Sequence, residues 1–257
     1  MNPRSIVSSA AVILWLVIAT PGAAVQTQST SRSCADVMES EVCTWVVMEG
    51  GAAVELGATI PIKLVEVVPA DAEMVWPPAE LGAVPLPAEA KTALGLDHLG
   101  INWEAHGHPP NTFLAPHFDF HFYNLTPDEV RSIDCADETK PARLPEQHVL
   151  PDIDVPGMGT LVGLCVPNMG MHAVQTIEAS SSDLFEASML IGYYRGEPAF
   201  FEPMVSQASL LAKQDFALSM PTVPALPAGV LYPSEFRAEY DEAGGQYRMI
   251  FTGFQAR

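Results

Sequence analysis

An eight-residue segment, in which polar and aromatic side chains alternate strictly from His117 to Phe122, constrains the fold of this chain more than any other feature. The segment runs from Pro116 to Tyr123 with the sequence PHFDFHFY. Because successive side chains of a β-strand point to opposite faces of a sheet, His117, Asp119 and His121 share one face. Three phenylalanines share the other face. The alternation predicts a strand whose phenylalanine face lies in a core between two sheet layers.

Short strands separated by turn signals are predicted along the rest of the chain. Gly50-Gly51, the segment Arg195-Gly196-Glu197-Pro198 and the segment 241–245 each separate two runs rich in β-forming residues. A Thr-Pro-Asp-Glu sequence beginning at Thr126 is typical of a helix start. The pattern predicts an all-β fold, a barrel or a sandwich, with a few short helices. We expect a single domain over residues 40–257.

The N-terminus predicts export. A short basic region ends at Arg4, an apolar stretch covers Ala10 to Ala19, and the small pair Ala23-Ala24 follows. This order is typical of a secretory signal peptide, here residues 1–24. The alternative is an uncleaved anchor, but the apolar run is about half of the roughly 20 residues that span a bilayer. After cleavage we expect no membrane anchor and a disordered or loosely ordered segment at 25–39.

The charge of the chain excludes several partners. There are 31 acidic and 12 basic residues, which give a net charge of −19. Nucleic acid and anionic membrane surfaces repel such a chain, so neither is an expected partner. A small-molecule ligand and a homo-oligomer both stay open. The predicted location is outside the cytoplasm, either periplasmic or extracellular.

Four cysteines predict two disulfide bonds. An even number of cysteines in an exported chain favours disulfides over free thiols. Of the three connectivities that four cysteines allow, we favour Cys34–Cys43 and Cys135–Cys165, because each links neighbouring segments. The cysteines lack CxxC spacing and lie outside the histidine-rich segment, so thiolate metal binding is not expected.

The polar face of the PHFDFHFY strand predicts a metal site. Burying His117, Asp119 and His121 together costs free energy unless the groups pair or bind a cation. Imidazole and carboxylate are good ligands for Zn, Mn or Fe. His172 lies in an apolar setting and Glu202 lies inside an aromatic strand, which makes both further candidates. Two alternatives stay open: an exposed strand face, or a structural network in which Asp119 orients a histidine.

The remaining histidines have weaker support. His106 and His108 form another HxH pair before two prolines, and we rate them as second-tier ligands or loop-structuring residues. His98 and His148 are predicted to be exposed. The sequence contains no GxSxG motif and no P-loop, so serine hydrolases and nucleotide-binding proteins have no support.

The histidine-rich segment also resembles a known family. The chain is similar to exported bacterial proteins of unassigned function that have a cupin-like β-barrel. The matching motifs are GHPP at 107–110, PHFDFHFY at 116–123, GMH at 170–172 and EPM at 202–204. The resemblance covers about residues 40 to 254. It implies a cupin-like fold and export, but it implies no activity.

The functional expectation is therefore a divalent transition metal, Zn, Mn or Fe, held by His117, Asp119, His121 and His172. Glu202 is expected to be a further ligand or a catalytic general base. Such a site suits a metal-dependent hydrolase or oxygenase. The competing expectation is a non-catalytic secreted or periplasmic binding or structural protein, monomeric or oligomeric, in which the His/Asp cluster is structural.

Overall fold

The computed structural model describes residues 27–73, 75–157 and 159–254. The predicted signal peptide, residues 1–24, lies outside these ranges. In chain order, the strands of the described residues are β1 (Gln28–Val37), β2 (Ser40–Glu49), β3 (Ala52–Pro61), β4 (Glu80–Pro85), β5 (His98–Glu104), β6 (His117–Tyr123), β7 (His148–Val149), β8 (Ile153–Val155), β9 (Gly159–Leu161), β10 (Met171–Gln175), β11 (Ala187–Tyr194), β12 (Glu197–Ser206), β13 (Phe216–Ser219), β14 (Glu235–Asp241) and β15 (Gln246–Thr252).

The helices are short, as the sequence predicts. They are α1 (Ile62–Val67), α2 (Ala88–Leu94), α3 (Pro127–Arg131), α4 (Thr176–Ser180) and α5 (Gln207–Leu211), with 3-10 turns at Asn111–Phe113 and Val162–Leu164. The predicted capping box is present at α3, where Thr126 and Glu129 bond each other's backbone N–H groups. Among the described residues no helix has the length and apolar character needed to cross a membrane.

Two antiparallel sheets face each other. One has the strand order β1-β2-β3-β15-β14-β13 and the other has the order β4-β5-β6-β12-β11-β10-β7. Strands β8 and β9 form a separate hairpin. The all-β fold class is confirmed. Of the two predicted architectures, the described part of the chain adopts the sandwich, because each sheet ends in unpaired edge strands instead of closing on itself.

The phenylalanine face of β6 lies in the core between the sheets, as predicted. Phe118, Phe120 and Phe122 are fully buried in the main apolar cluster. The ring of Phe122 lies 4.7 Å from that of Phe251, which comes from β15 in the opposite sheet. Burying one phenylalanine side chain stabilises the fold by about 1.5–3 kcal/mol. This packing fixes which face of β6 is turned away from the core.

The expectation of a loosely ordered segment at 25–39 is wrong for residues 28–37, which form β1. This strand pairs along its whole length with β2, and the Cys34–Cys43 disulfide joins the two. β1 is an edge strand whose side chains are mostly exposed or half-buried. An exposed edge strand needs no apolar face, which is why its sequence carries no hydrophobic pattern.

The second predicted disulfide is also present. It joins Cys135 to Cys165, which are 30 residues apart. The structure therefore contains the connectivity that the sequence favoured. Two disulfides are typical of a chain that folds in an oxidising compartment, which fits an exported protein.

Candidate metal centre

The polar face of β6 is buried. Only 3% of Asp119 is exposed, and His117 and His121 are fully inaccessible. The alternative of an exposed strand face is therefore wrong. A second apolar cluster covers this outer face of the seven-stranded sheet, and its buried members are Phe113, Leu164, Val174, Leu190 and Met204.

The predicted ligands all lie on this covered face, but the structure divides them between two groups. In the first triad, one ligand atom each of His121, His172 and Glu202 lies within 4.8 Å of the other two. The second triad brings together His108, His117 and Asp119 within the same limit. Residues i and i+4 of a strand are about 13 Å apart, which separates His117 from His121.

Three of these histidines are oriented by backbone carbonyl groups. In each, Nδ1 lies within hydrogen-bond distance of a backbone carbonyl oxygen. Because a carbonyl oxygen can only accept a hydrogen bond, Nδ1 must be the donor. The pairs are His108 with Pro109 (2.8 Å), His117 with Ala115 (2.6 Å) and His172 with Leu164 (3.0 Å). A neutral imidazole that donates through Nδ1 carries a lone pair on Nε2. The same arrangement holds metal-binding histidines in place in known metalloproteins.

Glu202 is buried between two imidazoles without a hydrogen bond to either. Its carboxyl oxygens lie 3.6 Å from Nε2 of His121 and 3.7 Å from Nε2 of His172. Oε2 of Glu202 and both ring nitrogens of His121 have no hydrogen-bond partner. No lysine or arginine of the described ranges forms an ion pair with this carboxyl group. A polar group buried in this way is unfavourable unless a cation or proton intervenes.

Burial sets the protonation of the first triad. It lowers the pKa of His121 to about 3 and also lowers the pKa of His172. Burial, followed by the negative charges of Asp119 and Glu104, raises the pKa of Glu202 well above its usual value. Without a cation, both imidazoles are therefore neutral and the carboxyl group keeps its proton. Neutral imidazole is the form that binds metal, and a cation would favour the ionised carboxylate.

A cavity of about 190 Å³ opens against both triads. His108 and Asp119 of the second triad and His172 of the first triad line it, together with Glu104. The rest of the wall is largely apolar and includes Trp76, Leu161, Leu164, Val166 and Met169. Ligand sites have this character, with an apolar wall and a few converging polar groups.

Glu104 is a candidate residue that sequence reasoning missed. It lies on β5 directly opposite His117, and one of its carboxyl oxygens is buried without a partner. Burial and then the charge of Asp119 raise its pKa to about 9. The signal available in the sequence was a single glutamate at the end of an apolar strand, two residues before His106.

The other histidines divide differently from the prediction. His108 joins the second triad, whereas His106 is exposed and its Nε2 lies 2.8 Å from the carbonyl oxygen of Ala72. The prediction for His98 is wrong, because it is buried with its ring stacked on Tyr123. His148 is half-buried rather than exposed.

Comparison with known proteins gives no relative. The chain matches no protein-family model, no curated protein and no solved structure. The function of the chain is therefore inferred from the geometry and chemistry of the two triads and the cavity.

Proposed function

We propose that this protein is an exported metalloenzyme whose first triad binds a divalent transition metal ion, Zn, Mn or Fe. The observation that carries this proposal is the convergence of His121 and His172 on the buried Glu202 without a hydrogen bond between them. An ion among these atoms would remove the cost of burying them unpaired. It would also occupy the lone pair that the His172–Leu164 hydrogen bond leaves on Nε2.

The composition of the first triad favours a catalytic site. Two histidines and one glutamate hold the zinc of some peptidases, and two histidines with one carboxylate hold the iron of non-haem oxygenases. Three protein ligands leave a coordination position for water or substrate. When bound, the ion would supply a Lewis acid for hydrolysis or a centre for oxygen chemistry.

The cavity supports a small, partly apolar substrate. At the ~30 Å³ that a water molecule occupies in the liquid, about 190 Å³ corresponds to roughly six waters. Its apolar wall favours a hydrocarbon portion, whereas Glu104, Asp119 and His172 favour a polar group at the other end. The formal charge of −19 disfavours a polyanionic substrate.

Glu104 is the better candidate for moving a proton. Glu202 contacts both histidines of the first triad, so we assign it as a ligand instead of the general base. Glu104 lines the cavity, and its pKa of about 9 lies above its usual value. Ionisable groups with shifted pKa values in a cavity are typical of catalytic acids and bases.

A non-catalytic metal site is the second candidate function. The specific observation that favours it is burial, because 0% of His121 and 1% of Glu202 are exposed. Structural metal sites are closed in this way, whereas catalytic sites keep one position open. Whichever function the metal serves, we also propose that the chain is related to exported cupin-like proteins. We further propose that residues 1–24 are cleaved on export and that the mature protein assembles into a homo-oligomer.

Elemental analysis tests the metal proposal. The mature protein, purified without an affinity tag, should contain Zn, Mn or Fe at one equivalent per chain or more. Glu202→Gln preserves the side-chain shape and should lose the metal of the first triad, as should His172→Ala. His148→Ala is the matched control and should retain the full content, because His148 belongs to neither triad. Absence of metal from the wild-type protein, even after incubation with each ion, would overturn the proposal.

Activity assays separate the two candidate functions. Metal-loaded protein should hydrolyse members of a panel of small esters and amides, or consume oxygen with iron bound and small apolar organic acids supplied. Glu104→Gln should abolish the activity and keep the metal. A metal-loaded protein that is inert and gives no response to small metal-binding anions would favour the structural site.

A further inference from the structure

We infer that the second triad, His108, His117 and Asp119, binds a second metal ion that faces the same cavity. This inference rests on the proposed function, because it adds a second ion to the same candidate active site. The three ligand atoms lie within 4.8 Å of one another. The imidazole rings of His108 and His117 have centroids 4.9 Å apart and are nearly perpendicular.

The hydrogen bonds of the second triad leave a lone pair on Nε2 of both imidazoles. Nδ1 of His117 and Nδ1 of His108 each lie close to a backbone carbonyl oxygen. Both imidazoles therefore carry their lone pair on Nε2 when neutral. Nε2 of His117 is buried and has no hydrogen-bond partner. An imidazole that is held through Nδ1 and has a free Nε2, as His117 has, is in the arrangement in which histidines bind metals.

The contact between His117 and Asp119 requires a positive charge. Nε2 of His117 lies 3.3 Å from Oδ1 of Asp119, and neither atom has a hydrogen-bond partner. With neutral His117, a nitrogen lone pair would face a carboxylate oxygen, which is repulsive. A proton on Nε2 or a metal ion between the atoms would relieve this repulsion. His108 supplies a third ligand atom close to the other two. A proton is shared between two atoms only, whereas a metal ion binds three or more ligands, so the presence of His108 favours the metal ion.

The burial of Asp119 also favours a cation. Only 3% of this residue is exposed, and its Oδ1 has no hydrogen-bond partner. A carboxyl group buried in this way is unfavourable unless a positive charge lies beside it. No lysine or arginine in the parts of the chain that the structure describes lies within ion-pair distance of it.

The two triads are neighbours on one face. Asp119 is two residues from both His117 and His121, and alternate residues of a strand are about 6.6 Å apart. His108, Asp119 and His172 all line the cavity. An ion held by each triad would therefore face the same molecule bound in the cavity.

Metal stoichiometry tests the second site. Chelator-treated protein is titrated with Zn²⁺ alone, and bound ions per chain are counted by calorimetry and elemental analysis. The wild type should bind two ions. Asp119→Asn is close to isosteric, and its amide can donate to Nε2 of His117, so the variant should fold. The affinity for the ion of the second triad should fall by at least about tenfold, and the affinity for the ion of the first triad should stay unchanged. Glu202→Gln should have the reverse effect, with a loss of affinity at the first triad only.

The outcomes separate this inference from the proposed function. One ion per chain, lost in Glu202→Gln and retained in Asp119→Asn, would overturn the second site and leave the proposed function intact. One ion lost in both variants would overturn the second site in favour of a single shared site. No bound ion would overturn both. Retention of two tightly bound ions in Asp119→Asn would also contradict the inference.

Discussion

Nδ1 of His172 lies 3.0 Å from the backbone carbonyl oxygen of Leu164. The next residue, Cys165, is bonded through its disulfide to Cys135. The hydrogen bond sets the direction of Nε2, and the disulfide anchors the segment that supplies the carbonyl group. Leu164 also lines the cavity. One covalent bond therefore supports both a proposed metal ligand and part of the cavity wall.

We predict that removing this disulfide weakens metal binding at the first triad. In the Cys135→Ser, Cys165→Ser double variant, the segment at Leu164 loses its anchor and His172 loses a fixed orientation. The expected result is at least about a tenfold loss of affinity for the ion of the first triad, measured by competition with a chelator. Loss of the cross-link should also reduce the free energy of unfolding by about 2–4 kcal/mol.

The control is the other disulfide. A Cys34→Ser, Cys43→Ser variant removes a cross-link between the edge strand β1 and its neighbour β2, neither of which contributes to the triads. It should lose stability, because a cross-link is lost, but keep the wild-type metal affinity. Equal losses of metal affinity in the two double variants would contradict the role assigned to Cys135–Cys165.

We predict that the metal-free protein becomes less stable as the pH rises above neutrality. The pKa of Glu104 is raised from 4.5 to about 9 by burial and then by Asp119, so between these values the folded state keeps a proton that the unfolded chain releases. The free energy of unfolding then falls with rising pH. Glu104→Gln should remove up to about 1.4 kcal/mol per pH unit of this fall.

Urea unfolding in the presence of a chelator, at several pH values between 6.5 and about 9, measures this slope. The lower limit avoids the range in which His108 and His121, whose pKa values burial lowers, act in the opposite direction. Glu146→Gln changes an exposed glutamate and should keep the wild-type slope. An unchanged slope in Glu104→Gln would show that its carboxyl group does not hold the proton.

We predict that filling the cavity blocks a small molecule but not the metal. Val166 is 8% exposed and lines the cavity. A cavity of about 150 Å³ is large enough for benzene, so the phenyl ring of Val166→Phe should occupy most of the 190 Å³. Benzohydroxamate, a metal-binding probe with an aromatic ring, should bind the metal-loaded variant at least about tenfold more weakly than the wild type, a loss of about 1.4 kcal/mol.

Acetohydroxamate carries the same metal-binding group without the ring and should bind the wild type and Val166→Phe with similar affinity. The metal content of the variant should also be unchanged. Equal benzohydroxamate affinities in the two proteins would mean that the cavity is not the route to the metal.

The sequence predicted those features that depend on local chemistry. The period-two alternation of 117–122 determined which side chains of β6 share a face, and the capping box at Thr126 determined where α3 begins. Both depend on residues a few positions apart. The disulfide pairs were also predicted, because each joins neighbouring segments.

The division of the ligands into two triads could not be predicted. It depends on the register between strands far apart in the chain, which places Glu104 of β5 opposite His117 and brings Glu202 of β12 beside His121. A single sequence does not contain this register. Strand β1 was missed for a related reason, since an edge strand is held by backbone pairing and the Cys34–Cys43 bond instead of an apolar face.

The most direct test of metal binding at the first triad is an anomalous difference map from crystals grown with Zn²⁺, with data collected on both sides of the zinc absorption edge. We expect a peak about 2.0–2.2 Å from Nε2 of His121, Nε2 of His172 and a carboxylate oxygen of Glu202. If the second ion is bound, another peak is expected among His108, His117 and Asp119. A map with no peak at the first triad, from crystals in which zinc is bound elsewhere, would contradict the central claim.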